Sequence, residues 1–275
     1  MASIMDRVPF RQRRSSPNGH AELPPEPEPD TFLEMTLQEH LEELRQRLLY
    51  SSIAVILALG IGMYFANDVL QIIAEAANVP ESGILTISPT EGFVTWFKVA
   101  LYIAIAITMP VLVYQLLRFV APGLTARERG VVFMSLPLVT VFFVGGMAFA
   151  FFLLVPRALD FLSGFSSNVF MWNPRAEELV TFYLRMMIGV GIGFELPVVI
   201  LVLARIGAVS VRRLTKFRKY AFLLVMAAAA IITPTPDPFN MMLVAVPLYL
   251  LYELGIVFAW LATARRRSNN EADAT

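Results

Sequence analysis

The sequence predicts an all-α membrane protein with six transmembrane helices and both termini on the cytoplasmic side. Three observations carry this expectation. Of 275 residues, 57% are hydrophobic and only 16% charged, with a mean hydropathy of +0.63, far from a soluble domain. Six apolar segments recur at roughly 48–66, 94–117, 131–155, 180–204, 220–232 and 241–262, where a span needs about 20 apolar residues to cross ~30 Å of hydrocarbon. Of the 22 Lys and Arg, 18 lie in the N-terminal region, between the second and third segments, between the fourth and fifth, and at the C-terminus. Only Lys98, Arg157, Arg175 and Arg185 fall on the other side, among Asp68, Glu75, Glu81, Glu91, Asp160, Glu177, Glu178 and Asp237. Lys and Arg concentrate on the cytoplasmic side of membrane proteins, so an even number of spans follows.

Residues 1–31 are expected to form a disordered cytoplasmic tail, because Pro24, Pro25, Pro27 and Pro29 alternate with Glu22, Glu26, Glu28 and Asp30. Arg13-Arg14 does not read as a signal sequence, since Ser-Ser-Pro-Asn-Gly-His follows where an apolar region is needed. The membrane domain is expected over residues 32–264, with a short cytoplasmic tail at 265–275.

The run from Thr36 to Leu49 is amphipathic: Leu37, Leu41, Leu44 and Leu48 form one apolar stripe, and Glu39 and Glu43 share a neighbouring face. Local structure could use every charge here. Thr36 with Glu39 has capping-box spacing, and Glu43 with Arg47 has that of an i,i+4 ion pair. The functional alternative is an acidic receptor for a basic peptide, since carboxylates pair bidentately with guanidinium groups. On the outer side, just before the second segment, Ser88-Pro-Thr-Glu-Gly-Phe93 reads as a capping box with proline at the first helical position, mainly a structural feature. Glu128, between Arg127 and Arg129 after the Pro122-Gly123 turn, suits the first turn of a helix as well as it suits a binding role.

Glu195, in Gly193-Phe-Glu-Leu-Pro197, falls well inside the fourth segment. An ionisable group there costs a few kcal/mol or more, so it is expected to face protein or water and to mark a functional site. Arg185, about three turns away, is its candidate partner in this chain. Gly189, Gly191 and Gly193 are expected to admit close helix packing, and Pro197 to free the Gly193 carbonyl. The fifth segment, 220–232, is short for a span and must thin the bilayer or sit within the protein. Thr233-Pro-Thr-Pro-Asp-Pro-Phe-Asn240 is a rigid turn in which Asp237 is expected to cap the last helix. Glu253 in the sixth segment is a second buried acid with no partner visible in sequence.

With no cysteine and two histidines, disulfides, thiolate chemistry and Cys or His metal cages are excluded. There is no phosphate-binding loop of the ATPase type. A formal net charge of zero offers no basic field for nucleic acid. No cofactor and no enzymatic reaction are expected.

Taken together, His40-Leu-Glu-Glu-Leu-Arg-Gln-Arg-Leu-Leu49, Ser88–Phe93, Tyr114-Gln-Leu-Leu-Arg-Phe-Val-Ala-Pro-Gly-Leu124, Phe194-Glu-Leu-Pro197 and Thr233–Asn240 with Pro247-Leu-Tyr-Leu-Leu-Tyr-Glu-Leu-Gly255 resemble TatC, the polytopic core of the twin-arginine protein translocase. The resemblance covers roughly residues 36–262. It implies a concave, glove-like helical bundle in the cell inner membrane with short fifth and sixth spans. It also implies that twin-arginine signal peptides of folded cargo dock at the cytoplasmic face, through Glu43 and Glu128 with Arg45 and Phe119 in the adjoining segments. Glu195 resembles the intramembrane glutamate that engages a single-span partner of TatA or TatB type. Export of folded proteins driven by the protonmotive force, by a homo-oligomer within a larger complex, follows from the same resemblance. Ala74-Glu75, where some relatives carry proline, departs from the pattern near the expected first outer loop. Two other readings stand beside it: a proton-coupled solute transporter using Glu195 and Glu253, which fits the buried acids but for which no inverted repeat and no matching pair of broken helices is visible, and a scaffold that clusters other membrane proteins without signal recognition.

Overall fold

Nothing in the first apolar run breaks a helix, and α1 (Leu37–Ala76) is continuous over 40 residues, about 60 Å at 1.5 Å per residue. The computed structural model describes residues 37–77, 79, 84–165, 169, 172–234 and 237–272. The acidic tail and Thr36 lie outside them. Residues Phe32–Thr275 cluster as one compact unit. Ala74-Glu75, near the expected first outer loop, form the last turn of α1, where Ala66 and Ile73 are buried in the core and hold the helix end against it. Most other apolar side chains of α1, among them Leu48, Ile53, Ile56, Leu57 and Tyr64, are exposed, as suits a helix that faces lipid.

α2 (Glu91–Val120) runs antiparallel to α1 and carries Pro110 without breaking. A 3-10 turn, Ala121–Gly123, follows. The expected third span is then divided into α3 (Ala126–Met134), α4 (Leu136–Phe149), a π segment (Ala150–Leu154) and α5 (Val155–Gly164). Proline accounts for both interruptions, since Pro137 and Pro156 sit in the first turns of α4 and α5 and have no N–H for the carbonyl four residues back.

The fourth span, expected as one segment, is divided where Pro197 leaves the Gly193 carbonyl without its N–H. α6 (Ala176–Gly193) and α7 (Leu196–Arg205) meet at Phe194-Glu195, where Glu195 N–H donates to the Ile192 carbonyl at 3.1 Å, a tighter turn than an α-helix. α7 ends on Gly207, whose φ of 83° only glycine adopts freely. α8 (Val211–Ile232) is capped by Ser210, which accepts from Arg213 N–H at 3.3 Å. α9 (Pro238–Ala272) begins as expected, with Asp237 Oδ1 accepting from Asn240 N–H at 2.8 Å. It continues through Arg265–Arg267, beyond residue 264 where the membrane domain was expected to end. Thr235 and Pro236 of the expected turn lie outside the described residues.

Among the described residues, five stretches are long and apolar enough to cross a membrane: Gln38–Ala76, Glu91–Gly123, Glu128–Gly164, Ala176–Arg205 and Pro238–Thr263. α8 differs because Arg212, Arg213, Lys216, Arg218 and Lys219 occupy its first half, leaving the short apolar run foreseen at 220–232. Among the described residues there is no strand, only an isolated bridge between Leu85 and Arg175. The main core joins α1, α2, the π segment, α5, α6, α8 and α9 around Tyr183, Leu154, Met186 and Leu248, and a second cluster joins α7, α8 and α9 around Ile200, Leu214 and Tyr252.

Candidate functional site

The ends of α1, α2 and α3 converge on a cavity of about 570 Å³ lined by Glu43, Arg47, Tyr114, Arg118, Ala121, Pro122, Arg129 and Phe133. The i,i+4 spacing on α1 does what it predicts: Arg47 Nη2 donates to Glu43 Oε1 at 3.0 Å. Arg47 also reaches across to α2, where Nη1 donates to Gln115 Oε1 at 3.5 Å. Both side chains are mostly buried, 12% exposed for Glu43 and 18% for Arg47. Glu43 Oε2 and Arg47 Nε are nevertheless buried with no hydrogen-bond partner. One half of this carboxylate is used and the other is open to a donor.

Glu128 does not join Glu43 in that cavity. Its carboxylate accepts from Thr125 N–H at 2.8 Å, while Glu128 N–H donates to Thr125 Oγ1 at 3.4 Å, a complete capping box at the start of α3. Its neighbour Arg129 lines the cavity instead. Arg45 points away, 73% exposed and 3.7 Å from Glu42. Phe119 stacks on His40 with ring centroids 4.4 Å apart, tying the end of α2 to the start of α1. Arg118 Nε donates to Tyr114 Oη at 2.9 Å, and its guanidinium lies 5.4 Å from that ring. Tyr114, Arg118 and Arg129 were not singled out from sequence as a cluster. The i,i+4 spacing of Tyr114 and Arg118 and the Thr125-x-x-Glu128 pattern were the signals available.

Glu195 sits at the α6–α7 break, only 8% exposed, and neither carboxylate oxygen has a hydrogen-bond partner. The expected contact with Arg185 is not made. Arg185 is exposed and lines a different cavity, of about 710 Å³, with Lys98, Trp172, Glu177 and Pro234, because ten helical residues separate the two side chains by roughly 15 Å. The glycines before Glu195 do admit close packing, each toward a different helix: Gly189 faces Ile232 of α8, Gly191 faces Phe143 of α4 and Gly193 faces Leu248 of α9. An unpartnered buried carboxyl costs stability in the chain alone. Glu195→Leu is therefore expected to raise the melting temperature of the isolated chain in detergent, by about 1–3 kcal/mol of stability. A lower melting temperature would show that Glu195 already has a stabilising partner.

At the opposite end the expected capping box does not form: Thr90 is the N-cap of α2 and makes no side-chain cap bond, Pro89 lies before the helix, and the side chain of Glu91 ties the preceding turn to α6 instead. It accepts from Ile87 N–H at 2.8 Å and Ser88 N–H at 3.2 Å, and also from Arg175 Nη2 and Glu177 N–H at 3.3 Å each. Lys98 of α2 donates to Glu177 of α6 nearby. Glu253, read from sequence as a buried acid with no visible partner, is partly exposed and paired: Arg218 of α8 donates to it at 2.7 Å. Among the described residues no group of three or more acidic, His or Cys side chains could hold a metal ion.

Three comparisons bear on this arrangement. The family described as TatC, Sec-independent protein translocase protein, matches residues 39–247. A TatC of Aquifex aeolicus is 36% identical over 243 residues, 86% of this chain and 100% of the relative. TatCy of Bacillus subtilis is 32% identical over 241 residues, 87% and 94% of the two chains. A crystal structure named as the twin arginine translocase receptor TatC superposes with a TM-score of 0.72 at 37% identity, covering 82% of this chain and 100% of the other. These names describe a translocase, a transport role rather than a catalysed reaction.

Proposed function

The chain belongs to the TatC family, multi-pass membrane proteins of the Sec-independent translocase, and from that premise we propose that it receives twin-arginine signal peptides at the end bearing Glu43. α8 then serves as the short fifth of six spans in the inner membrane, with both termini cytoplasmic. Single-span partners of TatA or TatB type assemble on the loaded chain, one of them satisfying Glu195. Folded cargo crosses through that assembly, driven by the protonmotive force.

The observation that carries this reading is the half-satisfied Glu43 carboxylate. Its Oε2 is buried in the cavity wall without a donor, and an incoming guanidinium supplies one. Glu128 contributes only if its bond to Thr125 opens, so it ranks second, with Arg45 and Phe119 on the approach. The test is photo-crosslinking of an Arg-Arg signal peptide to the full chain in membranes. Losing a charge-assisted bond of about 1.5–3 kcal/mol should make Glu43→Gln capture the peptide roughly 10- to 100-fold less. Glu128→Gln should lose less, and a Lys-Lys peptide should be captured poorly by the parent. Undiminished capture by the double variant would refute the docking assignment.

A further inference from the structure

The cavity at the Glu43 end holds more positive charge than it can balance. Among the described residues, Arg47, Arg118 and Arg129 line it with Glu43, so three guanidinium groups share one carboxylate. Glu128 does not relieve the excess, because its carboxylate is held by Thr125 N–H at 2.8 Å and is not part of the lining. Each guanidinium has five N–H donors, yet among the described residues the three make four hydrogen bonds, to Glu43, Gln115, Tyr114 and the Leu124 carbonyl. The Nε–H groups of Arg47 and Arg129 are buried without an acceptor. Converging, under-used guanidinium groups in a concave wall suit a phosphate, whose oxygens each accept several N–H donors.

The depth of the cavity in the chain indicates which phosphate. Arg47 directly precedes Leu48, where the apolar run of α1 begins, and Ala121, Pro122 and Phe133 complete the wall. That is the level at which hydrocarbon gives way to headgroups, and basic pockets between helices at that level favour anionic lipids. Three guanidinium groups beside one carboxylate favour a headgroup of net negative charge.

We infer that this cavity binds the phosphate of an anionic phospholipid, gripped by Arg118 and Arg129, with Arg47 as the third donor while Glu43 holds it in place. The inference stands on the lining alone and does not require signal-peptide docking. It is tested by reconstituting the full chain in equal parts phosphatidylglycerol and phosphatidylcholine, extracting it in mild detergent, and quantifying retained lipid by native mass spectrometry. The parent should retain phosphatidylglycerol about tenfold over phosphatidylcholine. Arg118→Gln with Arg129→Gln should abolish that preference. Arg212→Gln with Arg213→Gln removes the same charge from α8 and should keep it. Helical circular dichroism checks folding, and Arg118→Lys with Arg129→Lys, which keeps charge but loses the planar fork, should weaken retention if the glutamine pair does not fold. No preference in the parent, equal loss in the α8 control, or full retention by the cavity variants would overturn the inference. Complete displacement by millimolar inorganic phosphate would assign the cavity to a free ion and overturn the lipid assignment.

Discussion

Glu91→Ala is expected to lower the melting temperature by roughly 5–10 °C, the scale for losing several hydrogen bonds at once in a chain of this size. The carboxylate side chain is 1% exposed and serves two elements. It closes the turn before α2 by accepting from Ile87 and Ser88, and it holds the start of α6 through Glu177 N–H and Arg175. Alanine removes all four acceptor contacts and leaves the Glu177 N–H at a buried junction without its side-chain partner. The loss should fall on the α2–α6 junction, so hydrogen exchange should rise around residues 84–94 and 175–180 first. Glu91→Gln separates the parts. Its amide oxygen can still accept from the turn but cannot pair with Arg175 as an ion, so it should melt between parent and alanine variant. A glutamine variant as unstable as alanine would put the weight on the ion pair instead. An alanine variant that melts with the parent would show that the junction is held by packing alone.

The contrast between Glu91 and Glu128 shows where sequence was legible. Glu128 and Asp237 cap helices at fixed local spacing, Glu91 closes the turn before its own helix and Glu43 pairs with Arg47, because contacts three or four residues apart are written in the chain itself. What spacing could not show was the second use of Glu91, reaching residues more than 80 positions away. Nor could it show that Arg118 and Arg129 would close around Glu43, since that needs α2 to return along α1 and α3 to fold back after the 3-10 turn. Glu253 met Arg218 across 35 residues for the same reason. The breaks in the third span were readable: Pro137 and Pro156 carry the same signal as Pro197, but the uninterrupted apolar composition around them read as one helix. The undersized fifth segment was legible and remains the feature that composition alone does not turn into a span.

Gly62→Leu is the other large effect, expected to cost about 3 kcal/mol by overpacking a contact with no slack. Between apolar helices in lipid there is little hydrophobic drive, so association depends on how closely the backbones approach. Here the approach is made by small residues four apart: Ala58, Gly62 and Ala66 on α1 lie buried, as do Ala100 and Ala104 on α2. A Cβ on Gly62 would run into the Ala100 carbonyl oxygen. That is a backbone atom, which cannot rotate away. Two comparisons isolate the cause. Gly60 has open space where its Cβ would be, so Gly60→Leu should melt with the parent despite adding the same side chain to the same helix. Gly193→Ala meets the end of the Leu248 side chain, which can turn aside, and should lose less than Gly62→Leu. Separation of α1 from α2 also pulls Glu43 and Arg47 away from Tyr114 and Arg118, which sit on the same two helices. Gly62→Leu should therefore lose the Arg47–Gln115 contact and the cavity together with stability. If its thermal melt, followed by helical circular dichroism in detergent, coincides with that of Gly60→Leu, the small-residue stripe is not what sets the distance between these helices.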